Sequence, residues 1–222
     1  MRLLNLAKAV VGIAGAVVVL TAAGPAKAVT FDLASNEGSV IQFTGDTNSF
    51  MFVESTEEDF TITNGPDELE GLMGSIDGIF TIGGIVSFGS FESALVSGLG
   101  TFTVDDGAGG VLTADVSWNN IYTLMATGGI NAGADISLTN FNYTGTANAT
   151  LQGLEDSSNG VLVVSFQFSS PQSLSQLTAD GNVATTSYSG SVSAVPEPGT
   201  LILLGTGLAG AAGIGLRRRR RR

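Results

Sequence analysis

The stretch Leu162-Val163-Val164-Ser165-Phe166-Gln167-Phe168 contains the strongest apolar stripe in the chain, which consists of Leu162, Val164, Phe166 and Phe168. Successive side chains of a β-strand point to opposite faces, so apolar residues at every second position lie on one face. Residues 112–118 repeat this pattern and end at Trp118, the only tryptophan of the chain. Both stretches therefore predict strands with one face in a core, and the core is the expected place for Trp118.

Short apolar runs elsewhere are separated by Gly, Asn and Asp, which favour turns. Strands are predicted at residues 31–34, 40–44, 50–54, 60–63, 76–82, 85–91, 102–104, 139–144 and 183–194, and a short helical turn at 67–71. Many short strands at this spacing indicate an all-β fold. We expect an antiparallel β-sandwich of jelly-roll or Greek-key type, with an open barrel as the alternative.

Two loops carry an acidic pair and end in glycine before a Val-Leu strand. One contains Asp105 and Asp106 before Val111, and the other contains Glu155 and Asp156 before Val161. The similarity predicts two hairpins, the second with residues 149–154 as its first strand. Carboxylates and loop carbonyls are the ligands that Ca²⁺ prefers, so these four acids are candidate calcium ligands. Solvated turn acids are the alternative.

The C-terminal segment from Val195 to Arg222 has three successive parts. Pro196-Glu197-Pro198 is held extended, because proline fixes its own φ and disfavours helix in the preceding residue. Residues 201–216 are apolar and uncharged, and as a helix they would reach the short end of what a bilayer core requires. The chain then ends in a positive cluster, which consists of Arg217, Arg218, Arg219, Arg220, Arg221 and Arg222. This cluster predicts a cytoplasmic C-terminus and export of everything before the span.

This order of parts resembles the PEP-CTERM sorting signal of Gram-negative bacteria. The resemblance covers residues 195–222, with Val195, Pro196, Glu197 and Pro198 as the sorting and cleavage motif, 201–216 as a transmembrane helix and the arginines as the stop-transfer signal. It implies transient anchoring in the inner membrane, cleavage by an exosortase, and release to the cell surface or an exopolysaccharide matrix. A plain single-span anchor is the alternative, but it does not require Pro-Glu-Pro at its outer edge.

The N-terminal segment has the features of a secretory signal peptide. Arg2 and Lys8 precede an apolar run, and Ala26 and Ala28 form a small-x-small site at which signal peptidase would cut after Ala28. The predicted organisation is a signal peptide at 1–28, an exported domain at 29–194 and the sorting signal at 195–222. Residues 189–194 are interpreted as the tether to that signal.

The charge of the predicted domain differs from that of the whole chain, which is −11. All nine basic residues lie in the terminal segments, and nineteen of the twenty acids lie in 29–194, so the domain carries −19. Such a surface repels nucleic acid and anionic lipid, and we expect no nucleic-acid partner. Exopolysaccharide is a further expected partner, bridged by divalent cations if it is acidic.

Composition also limits the chemistry that the domain can perform. The chain has no cysteine and no histidine, and residues 29–194 contain no lysine, so Ser-His-Asp and Ser-Lys arrangements are excluded. A glycosidase needs only two carboxylates, but it normally also presents aromatic platforms for sugar rings. We therefore expect no enzyme activity, no catalytic residue and no cofactor other than calcium. The expected function is a structural surface or matrix domain, with a calcium-dependent adhesin or carbohydrate-binding module as the alternative.

Overall fold

Antiparallel β-strands make up most of the computed structural model, which describes residues 28–54, 58–124, 132–157 and 159–194. The strands are β1 (Val29–Ser35), β2 (Val40–Thr44), β3 (Ser49–Val53), β4 (Phe60–Asn64), β5 (Met73–Phe88), β6 (Phe91–Ser97), β7 (Leu99–Asp105), β8 (Val111–Leu124), β9 (Ala132–Tyr143), β10 (Asn159–Phe166), β11 (Val183–Thr186) and β12 (Tyr188–Ala194). A 3₁₀ turn at Gly45–Thr47 and two helices, α1 (Ala149–Glu155) and α2 (Leu174–Leu177), complete the described elements.

The sheet closes on itself. Four pairs of consecutive strands each continue along one line, namely β1 with β2, β3 with β4, β6 with β7, and β11 with β12, because a common neighbouring line pairs with both members. With β5, β8, β9 and β10 this makes eight lines, and each pairs antiparallel with the next line along the chain. The last line pairs back to the first, with Val29 opposite Ala194.

The predicted all-β antiparallel class is confirmed, but the predicted jelly-roll or Greek-key connectivity is wrong. A Greek key needs a strand that returns to pair away from its sequence neighbour. In the described sheet, every line instead pairs with the line before and after it, and the β1–β12 ladder closes the open edge that the alternative would leave. Alternation of apolar residues is the same in both topologies, so the sequence pattern does not distinguish them.

An aromatic cluster fills the interior. The ring of Phe50 lies 5.3 Å from that of Phe43, 5.4 Å from that of Phe80 and 4.5 Å from that of Trp118. Trp118 is 3% exposed, which confirms the core position predicted for it. Each fully buried side chain of this size contributes about 1.5–3 kcal/mol of transfer free energy, so this cluster is a main source of the domain's stability.

The two ends of the closed sheet carry different elements. One end, which we call the tail end, holds Val29 and Ala194, the β7–β8 turn and α1. The opposite far end holds the turns between β2 and β3 and between β5 and β6, together with α2. Leu174 and Leu177 of α2 are buried, so this short helix covers the core at the far end.

Three local predictions differ from the structure. Residues 149–154 form α1 rather than a strand, because Asn148 caps the helix by accepting from the Leu151 amide, and Leu151 and Leu154 share its buried face. Residues 85–91 contain the turn between β5 and β6 instead of one strand. Residues 67–71 form a hydrogen-bonded turn, with no helix assigned there. No helix in the described ranges is long and apolar enough to cross a membrane.

Candidate functional site

The predicted sorting residues follow directly on the last strand of the sheet. Residues 195–222, which include the sorting motif and the arginine cluster, and Ala26 of the signal cleavage site lie outside the described residues. Ala194, the residue before Val195, is fully buried and pairs with both Val29 and Gly160. The interpretation of 189–194 as a tether is therefore wrong, because these residues form β12. Only Val195 separates β12 from Pro196.

The predicted signal cleavage site abuts the first strand. Ala28 is exposed, and Val29, the residue after the predicted cut, begins β1. Val29 is the partner of Ala194 in the closing ladder. In the sequence, the two predicted processing positions thus adjoin the outer ends of two strands that pair with each other, β1 and β12.

The four candidate calcium ligands occupy two separate elements. Asp105 and Asp106 lie at the β7–β8 turn, where Oδ1 of Asp105 accepts from the Gly107 amide at 2.7 Å. Glu155 ends α1 and Asp156 is its C-cap residue, so the second predicted hairpin loop is a helix terminus. Across the part of the chain that the structure describes, no group of three or more acids is placed to hold a metal ion.

Asp106 is held by three protein donors. Its Oδ1 accepts from the amides of Ala108 at 2.7 Å and Gly110 at 2.8 Å, and its Oδ2 accepts from the Tyr143 hydroxyl at 2.5 Å. The Tyr143 hydrogen bond, followed by the backbone amides, keeps the pKa of Asp106 below its ordinary value. Asp106 therefore has the contacts of a structural turn residue.

Hydrogen bonds extend this contact across the tail end. The Tyr143 hydroxyl accepts from the Asn148 amide at 3.2 Å, and the Asn148 side chain donates to the Glu68 carbonyl at 2.8 Å. Oε2 of Glu68 in turn accepts from the hydroxyl of Thr150 at 3.0 Å. The β7–β8 turn, α1 and the β4–β5 loop are thus tied together at the tail end.

Sequence reasoning did not identify Asp59, a buried acid between β3 and β4. Asp59 is 1% exposed, and its Oδ2 accepts from the Ile76 amide at 2.8 Å. Ile76 pairs with β7 on one side, but on the other side it lies between the pairing of β5 with β3 and that with β4. Oδ1 of Asp59 has no hydrogen-bond partner among the described residues. Burial, and to a lesser extent the charges of Glu54 and Asp77, raise the pKa of Asp59 to about 6. In the sequence, Asp59 is only a polar residue before an apolar run. An exposed turn residue would have the same appearance.

Two adjoining shallow grooves lie on the outer face of β1, β10 and β12. Their volumes are about 260 Å³ and about 340 Å³, and both are lined by Ser165 and Ser189. The larger groove also contains Asp32, whose carboxylate accepts from the Asn64 side chain at 2.9 Å. Hydrogen bonds from Asn64 and then Ser191 lower the pKa of Asp32. These grooves offer hydroxyl groups and one carboxylate, but no exposed aromatic platform is among their lining residues.

Comparison with known proteins identifies the C-terminal segment. The family model of the PEP-CTERM protein-sorting motif matches residues 194–221, which agrees with the resemblance expected for 195–222. The chain matches no curated protein and no solved structure. The motif indicates export and sorting at the membrane to the cell surface. The chain therefore carries a PEP-CTERM protein-sorting motif and is targeted to an exosortase.

Proposed function

We propose that the chain is a cell-surface or exopolysaccharide-matrix protein whose β domain is structural and non-catalytic. In this account, signal peptidase removes residues 1–28 and an exosortase cuts near Pro196-Glu197-Pro198. The free product is then the acidic domain itself, with transient inner-membrane anchoring by residues 201–216 before the cut.

The observation that carries this proposal is the pairing of Val29 with Ala194. Both proposed cuts fall outside this pair, so removal of the terminal segments leaves every described strand and the closing ladder complete. An exported domain that must survive two cleavages needs such an arrangement, since ladder amides lost at a buried edge cost about 1–3 kcal/mol each.

The side chains available support a non-catalytic role. Residues 29–194 contain no histidine, lysine or arginine, so no side chain there can act as a base that is neutral near pH 7 beside a nucleophile. A groove of about 190 Å³ contains Glu58 and Asp105, but its other lining residues are Gly71, Leu72, Met73 and Gly107. It lacks an aromatic residue to hold a sugar ring, and Trp118 is in the core.

A double substitution in the sorting motif tests the proposal. We expect Pro196→Ala/Pro198→Ala to accumulate in the inner membrane at full length after signal cleavage, because the extended recognition peptide is lost. Pro171→Ala is the matched control, since this proline lies in the connection between β10 and α2, and its product should be released normally. Normal release of the double variant would contradict the proposal.

The hydroxyl-lined grooves favour carbohydrate binding as a second candidate function. If they bind the host's exopolysaccharide, Ser189→Trp should block binding, because Ser189 lines both grooves and the larger side chain would fill them. Ser97→Trp on the outer face of β6 should leave binding unchanged.

A calcium requirement would appear as a calcium-dependent rise in melting temperature that Asp105→Asn/Asp106→Asn abolishes. No binding at millimolar calcium and no such rise would leave the structural role as the function of the domain.

A further inference from the structure

Large apolar side chains are exposed on the outer face of β5, β6 and β8 at the far end. Val86 is 60% exposed, Phe88 81%, Phe91 39% and Leu95 75%. The register places Phe88 opposite Phe91, and Val86 opposite Ser93, which in turn lies opposite Tyr122. The rings of Phe91 and Tyr122 stack with centroids 5.9 Å apart. We call Val86, Phe88, Phe91, Leu95 and Tyr122 the apolar face.

The orientation of these residues follows from the strand pattern. Ala94 and Val96, which flank Leu95, are buried, and so are Ile121 and Thr123, which flank Tyr122. Alternation therefore directs the apolar face away from the core, so core packing does not account for it. Isolated exposed apolar residues are ordinary in soluble proteins, but a contiguous group on neighbouring strands marks an interaction surface.

The charges of the domain restrict which contacts two copies can make. Residues 29–194 carry nineteen acids and no base, so two copies cannot form an ion pair between their domains and repel each other wherever carboxylates meet. Residues 78–104 contain one acid, Glu92, whose carboxylate is directed to α2 and accepts from the amide and hydroxyl of Ser175. Asp135 lies at the rim, across Asn120 from Leu95. The apolar face is thus a place where two copies can meet without opposing carboxylates.

The area of the surface fits such a contact. Ile79 and Leu99, which are 62% and 80% exposed, extend the same outer surface along β5 and β7 beyond the Thr81–Ser97 pair, and exposed Asp77 lies at the rim of this extension. At roughly 100 Å² for each large exposed side chain, these residues and the apolar face together approach the roughly 800 Å² per partner of a stable interface.

We propose that the apolar face joins two copies of this chain, related by a two-fold axis that passes near Ser93. A closed two-fold contact uses the same patch on both subunits. An apolar patch needs no charge complementarity, and this acidic domain has none to offer to a copy of itself. The face lies at the end opposite Val29 and Ala194, so the pairing is available to the chain before and after the sorting segment is removed. It does not depend on the proposed structural role.

Cysteine cross-linking of the full chain in its host tests the pairing. The chain has no cysteine, so Ser93→Cys introduces the only thiol. A short bifunctional thiol reagent should convert this variant to a species of twice the chain mass. Ser189→Cys, on the outer face of β12, is the control and should stay monomeric.

Salt provides a second readout that a chance cross-link would not show. Raising ionic strength from about 0.01 M to about 1 M shortens the Debye length from about 30 Å to about 3 Å, which screens the repulsion between two acidic domains. The cross-linked fraction should therefore rise with salt. Phe88→Ser/Leu95→Ser should lower it several-fold, while the melting temperature at a dilution where the wild type is monomeric stays unchanged, because both side chains are exposed in a single copy.

Three results would overturn the proposal. One is a Ser93→Cys chain that remains monomeric at high salt, and another is equal dimer formation by the Ser189→Cys control. The third is cross-linking of Ser93→Cys to a species of a different mass, which would assign the apolar face to another protein.

Discussion

The hydroxyl of Tyr143, the last residue of β9, donates a 2.5 Å hydrogen bond to Oδ2 of Asp106 in the turn between β7 and β8. The same hydroxyl accepts from the amide of Asn148, the residue that caps α1. One side chain thus joins a turn, a strand end and a helix start at the end of the domain that leads to the sorting motif. Asp106, one of the four candidate calcium ligands, holds the turn through these contacts.

Removal of this hydroxyl should destabilise the tail end. We expect Tyr143→Phe to lower the melting temperature by a few degrees, because the Asn148 amide and Asp106 both lose a partner. The pKa of Asp106 is below its ordinary value, so its stabilising contribution is present above the unfolded pKa of 3.8 and is lost as pH falls through the folded pKa. Thermal melts at pH 7 and at pH 3 should show a smaller difference between variant and wild type at the lower pH. Tyr122→Phe is the matched control, and an equal effect of both substitutions would contradict this assignment.

Asp59 should give the domain an unusual dependence on pH. Its pKa rises from 3.8 in the unfolded chain to about 6 in the folded domain, so the folded state binds this proton more tightly. Protonated Asp59 therefore adds to the free energy of unfolding below pH 4. This contribution is lost as pH rises through about 6, a change on the order of 2 kcal/mol. Asp59→Asn keeps an oxygen to accept from the Ile76 amide, and it should be more stable than wild type at pH 7.5. Urea unfolding at pH 5 and pH 7.5 measures this, with Asp180→Asn as an exposed control. A variant that is less stable at both pH values would refute the prediction.

The attachment of α2 at the far end depends on Thr123. Its buried hydroxyl accepts from the Leu174 amide at 3.1 Å, at the first turn of a helix capped by Ser173 and Gln176. Thr123→Val keeps the shape but leaves that amide unsatisfied, and should cost about 1–3 kcal/mol in urea unfolding. Thr185→Val, at an exposed position of β11, should change the free energy of unfolding by less than about 0.5 kcal/mol. Equal costs for the two substitutions would show that the hydrogen bond does not anchor α2.

Two phenylalanines of β5 provide a test of the inward and outward faces. Phe80 is fully buried between Phe50 and Trp118, whereas Phe88 is 81% exposed. Phe80→Ala should cost about 3–5 kcal/mol through the cavity that it leaves, and Phe88→Ala should leave the free energy of unfolding within about 0.5 kcal/mol. Urea unfolding of both variants checks the pair. A large cost for Phe88→Ala would mean that its side chain supports the fold.

Much of the strand content is predictable from the sequence, because period-two alternation is a local property. Residues 40–44 are predicted with the bounds of β2, and Leu162, Val164 and Phe166 share the buried face predicted for them. The prediction misses α1 because only two buried leucines, Leu151 and Leu154, mark its helical face, in a run too short to show a clear period. Its distinguishing signal was Asn148, and for α2 it was the Ser173–Gln176 capping box.

The long-range features could not be predicted in this way. Closure of the sheet depends on the pairing of Val29 with Ala194, and the role of Asp59 depends on the Ile76 amide of β5, which lies between the ladders formed with β3 and with β4. The sorting motif is the opposite case, because the exosortase target is a linear peptide that is complete in the sequence itself.

The most direct measurement of the central claim is the intact mass of the protein recovered from the outer surface or matrix of its host. Intact mass is required because trypsin has no lysine or arginine to cut between Val29 and Ala194. We predict a chain that begins at Val29 and ends near Pro198. A species that retains residues 201–222 and remains in the inner membrane would contradict the proposed processing. The domain would then be permanently anchored.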